Sequence, residues 1–224
     1  MIKICVSGSK GKMGSSIIDL AKEDRQFELS GEFDVGGNPN PLIEACDCLI
    51  EFTTPQATIE HLSICAEQKK AMVIGTTGLS DAEKESIKEA AKTIPIVFSP
   101  NMSIGVNLLF KIVEDTSKVL GPDYHVEIVE AHHVHKKDAP SGTAKELARI
   151  VKDAKGDIDI PIESVREDEI VGEHTITFES DMDLVEITHS AKTRAIFAQG
   201  ALKAAKFVVK KPSGLFTMKD VLGL

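Results

Sequence analysis

The stretch from Ile2 to Lys22 constrains the fold more than any other part of the chain. Ile2 to Ser7 is a short apolar run that reads as a buried strand. Gly8-Ser9-Lys10-Gly11-Lys12-Met13-Gly14 follows at once, and from about Lys12 the apolar residues recur at helical spacing. A strand that turns through glycines into a helix offers unpaired N–H groups and the positive end of a helix dipole, which suits a pyrophosphate. The spacing is G-x-x-G-x-x-G rather than the commoner G-x-G-x-x-G, but small residues serve the same end in both: the backbone turns tightly and approaches the anion. An acidic residue is then expected about 20 residues on, at the end of the second strand, to accept hydrogen bonds from ribose hydroxyls. Asp34 fits, with a turn residue before Gly36-Gly37 as its structural alternative. Glu32 is a rival that reads more simply as a solvated strand carboxylate.

The pattern repeats downstream. Phe27 to Phe33, Asp47 to Phe52, Ala71 to Gly75 and Ile94 to Phe98 read as strands. Between them, Thr54-Pro55 reads as an N-cap followed by proline at the first helical position, and Ser80-Asp81-Ala82-Glu83 as a capping box. Strands alternating with helices predict a parallel, Rossmann-like sheet with ligands at the carboxyl ends of its strands. Two turns at such ends, Gly75-Thr76-Thr77-Gly78 and Ser99-Pro100-Asn101-Met102-Ser103, are placed to hold a nicotinamide carboxamide through backbone amides. Ordinary turn chemistry explains them equally well.

After residue 102 the character changes. A long helix is predicted from Ser103 to Leu120, a strand from His125 to Ala131 and a helix from Ser141 to Lys152. His174 to Ser180 and Leu184 to Ser190 alternate apolar and polar residues and read as a hairpin with one buried face. Thr193 to Val209 is an Ala-rich helical return, whose Lys203, Lys206, Lys210 and Lys211 read as a solvated helix end. The expected class is α/β: an N-terminal Rossmann-like parallel sheet with a second α+β domain containing a mostly antiparallel sheet. The expected division is a dinucleotide-binding domain of residues 1–102 plus 195–224, and a substrate-binding and oligomerisation domain of residues 103–194.

Composition excludes several classes. Hydrophobic residues make up 42% and charged residues 27% of the chain, an ordinary globular mix rather than a disordered one. A net charge of −9 disfavours a nucleic-acid partner. No apolar run approaches the ~20 residues needed to span a bilayer, and the N-terminus has no signal-peptide pattern. The four cysteines, Cys5, Cys46, Cys48 and Cys65, lack metal-like spacing, and a cytoplasmic location is expected.

Titratable groups crowd between His125 and Asp138, where four of the seven histidines lie. The run His132-His133-Val134-His135-Lys136-Lys137-Asp138 leads into Ala139-Pro140-Ser141-Gly142-Thr143-Ala144. Ser141 or Thr143 would cap a helix and leave the amides of Gly142 and Thr143 as a nest for a carboxylate, with Lys136 adding a full charge. A histidine with an ordinary pKa near ~6.5 can pass a proton at neutral pH. A zinc site is disfavoured because the histidines lack helical i, i+4 spacing; a solvated polar loop is the other alternative. Arg194 is a second cationic candidate, with capping or surface pairing as its structural role. These residues point to a nicotinamide-dependent reductase of an anionic substrate.

At this point the sequence resembles the 4-hydroxy-tetrahydrodipicolinate (dihydrodipicolinate) reductase family, and in particular its shorter members. Glu127, Glu130, His132, Lys136, Asp138, Pro140, Ser141, Gly142, Thr143 and Ala144 fill the family signature completely. Val6 to Gly14, Glu51-Phe52-Thr53-Thr54-Pro55, Gly75 to Gly78, Asn101 to Asn107 and Arg194 to Ala201 are similar to further family segments. The resemblance implies NADH or NADPH as cofactor, a small cyclic dicarboxylate substrate, a place in lysine and diaminopimelate biosynthesis, and a homotetramer built through the second sheet. It implies that His132 is the proton donor/acceptor, with Lys136 as proton donor, and that His133, Gly142 and Thr143 contact substrate. It assigns the dinucleotide to Gly8, Ser9, Lys10, Gly11, Lys12, Met13, Asp34, Gly75, Thr76, Thr77, Ser99, Pro100, Asn101 and Met102, and implies no metal. Another reductase of an amino acid precursor and a non-catalytic NADH sensor are the competing readings.

Three positions depart from the family pattern. Val35 stands where NADPH users often carry arginine, Lys12 replaces the commoner loop arginine, and Val134 replaces a frequent arginine between the second and third histidines. The Asp34-Val35 pair generates a prediction: catalytic efficiency with NADH exceeds that with NADPH, or the two differ little. A large NADPH advantage would contradict it.

Overall fold

The computed structural model describes residues 1–224. The first half alternates β1 (Ile2–Ser7), α1 (Lys12–Glu23), β2 (Phe27–Phe33), α2 (Asn40–Glu44), β3 (Cys48–Glu51), α3 (Pro55–Glu67), β4 (Ala71–Ile74), α4 (Asp81–Ala91) and β5 (Pro95–Phe98). Then come α5 (Ile104–Val119), β6 (His125–His132), α6 (Gly142–Lys155), β7 (Ile162–Arg166), β8 (Gly172–Glu179) and β9 (Leu184–Ala191). The chain ends with α7 (Ala195–Val208), β10 (Gly214–Phe216) and α8 (Met218–Leu222). It divides into two compact units, Met1–Ile104 with Ala195–Leu224, and Gly105–Arg194.

The first unit holds a six-stranded parallel sheet in the order β10-β5-β4-β3-β1-β2. All four residues of β3 and all four of β4 are buried, as expected of parallel strands covered on both faces. Side-chain parity sorts them. Ile4, Val6, Ile50 and Val73 pack with Ile17 of α1 and Ala201, Ala204 and Ala205 of α7, while Cys5, Leu49, Met72 and Ile74 pack with Leu62 of α3 and Ile87 of α4. Strand order reverses between β1 and β3, which opens a crevice at their carboxyl ends. Thr54 caps α3 through Ala57 N, and the Ser80–Glu83 capping box opens α4, both where the residue pattern put them.

The second unit is a four-stranded sheet ordered β7-β6-β8-β9, with β6–β7 parallel and the other pairs antiparallel. Its covered face is built from Val126, Ile128, Ile176 and Phe178. Against it pack Val106, Leu109, Phe110 and Val113 of α5 and Ala144, Leu147, Ile150 and Val151 of α6. Both helices present apolar residues three or four apart, one stripe each.

Two expectations need correction. The second sheet contains a strand, β7, that the residue pattern did not reveal. Two of the four lysines at the end of the chain's Ala-rich helix, Lys206 and Lys211, are not merely solvated: Lys206 Nζ lies 2.6 Å from Asp24 Oδ2, beside the C-terminus of α1, and 5.0 Å from the Phe27 ring centroid. Lys211 covers Phe207 at 4.4 Å. A long apolar stem with a charged tip can bury one and pair the other.

The tightest backbone approach in the first unit is at Gly200 of α7, where a Cβ would stand 1.7 Å from the carbonyl oxygen of Met102. Gly200→Ala is therefore expected to cost about 3 kcal/mol or more and to lower the thermal midpoint by roughly 6–12 °C. A melting curve within about a degree of wild type would contradict this packing.

Candidate active site

In the first unit the sequence-assigned cofactor residues fall at the carboxyl ends of β1, β2, β4 and β5. Gly8 takes a left-handed φ of +73°, and Gly11 N donates to Gly8 O at 2.9 Å, closing the turn. Gly11 is the N-cap of α1 and brings no side-chain cap, and the first turn contains no acidic residue. A Cβ at Gly14 would stand 2.1 Å from Gly8 O, so only glycine lets the helix start this close to the turn. Ser9, Lys10, Lys12 and Met13 complete this loop. The start of α1 thus has neither a side-chain cap nor an acidic side chain, which fits an anionic phosphate group.

Asp34 reaches the same loop. Its Oδ1 accepts from Val35 N at 2.8 Å and its Oδ2 from Lys10 N at 2.9 Å. These two bonds, Val35 first, hold the carboxyl below its ordinary range, so it is ionised and each oxygen keeps acceptor capacity for a ribose hydroxyl. Glu32 is exposed, as its solvated reading requires. Beyond β4, Thr76 is buried, Thr77 is exposed, and Gly78 has φ +80°. Beyond β5, Ser99 Oγ donates to Asn101 O at 2.8 Å, and Ser103 N donates to Asn101 Oδ1 at 2.9 Å. Pro100 is exposed, whereas the Met102 side chain belongs to the core; any ligand contact at Met102 falls to its backbone.

In the second unit the proton-transfer candidates are organised by one buried carboxylate. Glu130 and His132 are two apart on β6 and share its covered face. Glu130 is fully buried. Arg166, at the end of β7, donates to it twice, Nη1 to Oε2 at 3.0 Å and Nη2 to Oε1 at 2.7 Å. Ser141 N donates to Oε1 at 3.2 Å, and His132 Nδ1 lies 2.5 Å from Oε2. Burial alone would raise the Glu130 carboxyl, but the bonds from Arg166 and His132 prevail and hold it at about 2. An ionised carboxylate only accepts, so Nδ1 of His132 carries the proton and Nε2 is left for chemistry. A Cβ at Gly172 would stand 3.0 Å from that Nε2; glycine there keeps the nitrogen uncrowded.

His132 itself is pulled below its usual range. Burial is the main cause, Glu130 opposes it, and Lys136 and Arg166 assist it. Lys136 Nζ is 2.8 Å from Asp138 Oδ1, and Arg166 Nη2 also donates to Asp138 O at 2.6 Å, which ties the loop back to β7. Ser141, not Thr143, is the N-cap of α6, accepting from Ala144 N at 3.2 Å. Gly142 is exposed, with nothing within 4 Å of a Cβ built on it, and no acidic residue occupies the first turn. The exposed Gly142 and the lack of an acidic side chain suit the start of α6 to a carboxylate.

His133 points to a different partner. Arg194 Nη2 lies 3.1 Å from its Nε2. Guanidinium only donates, so Nε2 accepts and Nδ1, buried without a partner, holds the proton. The pairing reading of Arg194 and the substrate reading of His133 therefore meet on one atom. His174 was not singled out by the residue pattern, yet its ring packs edge-on against His132 at 5.1 Å and its Nε2 lies 3.1 Å from Ser141 Oγ. Glu130 carried a signal, the i, i+2 spacing with His132. Arg166, Gly172 and His174 carried none, because they sit on strands 34 to 42 residues beyond β6's end in sequence or on the unrevealed β7.

A parallel sheet that runs through a glycine turn into an uncapped helix, carried in one chain with a buried carboxylate–histidine pair, defines a dinucleotide-dependent oxidoreductase. The family model for the C-terminus of dihydrodipicolinate reductase matches residues 105–222, and that for its N-terminus matches residues 2–102. The chain belongs to the dihydrodipicolinate reductase family. It is 40% identical to the 4-hydroxy-tetrahydrodipicolinate reductase of Geotalea daltonii, an alignment of 266 positions covering 100% of both chains. It is 41% identical to that of Geobacter metallireducens over 265 positions, again covering 100% of both. Among solved structures, the dipicolinate-bound dihydrodipicolinate reductase of Paenisporosarcina sp. TG-14 superposes with a TM-score of 0.85 at 25% identity, covering 97% of each chain.

The histidine cluster predicts an acid-labile fold. Burial, then the neighbouring His132, push His174 from 6.5 to about 4. Between those values the unfolded chain takes a proton that the folded one refuses, so stability falls as pH drops through this window, by about 3 kcal/mol from His174 alone. His132 and His189 are shifted the same way by burial. Urea midpoints measured from pH 7 to pH 4 should fall, and His174→Asn should flatten the curve. An unchanged slope would contradict the assignment.

Proposed function

We propose that this chain reduces 4-hydroxy-tetrahydrodipicolinate, by way of dihydrodipicolinate after loss of water, to tetrahydrodipicolinate, using NADH or NADPH, as the reductive step of lysine and diaminopimelate biosynthesis. The observation that carries this reading is the Glu130-held His132, with its Nε2 free beside Gly172, on the same carboxylate that anchors the open N-terminus of α6. Family membership and the names of the relatives support the same substrate.

In this reading the first unit binds the dinucleotide through Gly8, Ser9, Lys10, Gly11, Lys12 and Met13, through Asp34, and through the turns Gly75-Thr76-Thr77 and Ser99-Pro100-Asn101-Met102. The bound dinucleotide supplies the hydride. The second unit holds the dicarboxylate through the amides of Gly142 and Thr143, the Lys136 ammonium and His133. As carbon 4 of the ring gains the hydride, electron density moves into the conjugated system, and a proton must arrive to quench it. His132, bare at Nε2 in its resting neutral form, takes up a proton there from solvent and delivers it to the ring. Glu130 stabilises the imidazolium while it exists, and burial together with the Lys136 charge favours its discharge. Lys136 holds a carboxylate and, with His132, makes up the pair that supplies this one proton.

A homotetramer built through the second unit's sheet and a cytoplasmic location complete the proposal. The face of that sheet opposite α5 and α6 carries alternate residues such as Val129 and Ala131, which α5 and α6 do not cover. No helix is long and apolar enough to cross a membrane.

A coupled assay that follows nicotinamide absorbance on feeding the dicarboxylate tests the reading. The cofactor should be oxidised in proportion to product. His132→Gln and Lys136→Ala, in folded protein, should each lower turnover by ~100-fold or more. Cofactor binding without oxidation would instead mark a sensor, and near-wild-type rates in the variants would remove His132 and Lys136 from the chemistry.

A further inference from the structure

A second buried carboxyl–histidine pair lies in the first unit, and the proposed reaction does not use it. Glu51 ends β3, pairs in register with Ser7 at the end of β1, and is fully buried. These are the two strands at which the sheet order reverses, the place where open α/β sheets bind ligands. A buried carboxyl there is costly unless its oxygens are bonded. Both are. His61 Nδ1, from α3, lies 2.6 Å from Oε2, and Thr53 Oγ1 donates to Oε1. Ser7 Oγ stands 3.4 Å from the same His61 nitrogen.

Thr53 is the link to the ligand turns. A Cβ at Gly8 would stand 2.9 Å from Thr53 Cγ2, so the Thr53 methyl fixes how far the Gly8 turn can sink. Thr53 N donates to Thr76 Oγ1 at 3.2 Å, and Thr58 Oγ1 donates to the same oxygen at 2.9 Å. One chain of bonds thus runs from His61 through Glu51 and Thr53 to Thr76, touching the glycine turn after β1 and the Gly75–Gly78 turn after β4.

We infer that Glu51 and His61 are positioning residues for the dinucleotide cradle: they clamp Thr53 so that the Gly8 turn and the Thr76 turn keep the spacing the two ends of the cofactor require. Apolar packing alone tolerates small slips of a turn, whereas directional hydrogen bonds to a buried carboxyl set both distance and orientation. The inference rests on the reading that the first unit binds NAD(P)H.

The test is the affinity for NADH alone, followed by the cofactor's own fluorescence, together with KM for each substrate. Thr53→Val, which keeps the volume and removes the hydroxyl, and Glu51→Gln should each weaken NADH binding by about 10-fold, a loss of one bonded contact's worth of discrimination. KM for the dicarboxylate should stay within about twofold. Thr53→Ser, which restores the hydroxyl, should recover NADH affinity relative to Thr53→Val. Wild-type affinity in both Thr53→Val and Glu51→Gln would overturn the inference, and so would equal losses for cofactor and dicarboxylate. Failure of the wild-type protein to bind either NADH or NADPH would overturn the cofactor reading itself.

Discussion

The second unit depends on a single ion pair, the buried Glu130 carboxylate gripped on both oxygens by Arg166. A carboxylate at full burial is tolerated only when its lone pairs are filled, and here the donors come from β6, β7 and the start of α6. Because Arg166 satisfies the charge, the group stays ionised far below neutrality, and because it is ionised it dictates which nitrogen of His132 bears the proton. The same carboxylate places the N-terminus of α6. The position of the start of α6 and the tautomer of His132 are therefore consequences of one interaction, and a change at Arg166 would disturb both.

The first unit meets its demands differently. Its turn from β1 into α1 is made by omission: Gly8, Gly11 and Gly14 remove side chains so that backbone can approach backbone, and no side-chain cap competes for the amides of α1. At the crevice between β1 and β3 it relies on buried polar contacts. Each unit thus carries one buried carboxyl paired with a histidine, on β6 in one and β3 in the other. The resemblance ends at their surroundings. Glu130 has an arginine to hold its charge, whereas Glu51 is bonded by a histidine and a threonine and faces turns rather than a helix N-terminus.

Much of this was legible in the residues because the signals were local. The apolar runs at Ile2–Ser7 and Ala71–Ile74, the Thr54-Pro55 cap and the Ser80–Glu83 box each lie within a few positions, and each produced the element expected. The histidine–lysine–glycine segment stood out for the same reason, since His132, His133, Lys136, Gly142 and Thr143 span barely one helix's length of chain. What escaped was either short or distant. β10 and α2 have three and five residues, too few for a period to show, and β7 exists because β6 offers it an edge to pair with. Arg166 was hidden with it. Lys206 looked solvated because its partners, Asp24 and Phe27, lie at the other end of the chain and meet it only after folding.

The central claim is that the Glu130 carboxylate, kept ionised by Arg166, fixes the proton of neutral His132 on Nδ1 and leaves Nε2 bare. Nitrogen NMR of isotopically labelled protein near neutral pH reads this directly, because protonated and bare imidazole nitrogens resonate far apart. The account predicts a protonated Nδ1 and an unprotonated Nε2 for His132, with the assignment lost in Glu130→Gln. A proton found on Nε2 with Nδ1 bare would contradict it.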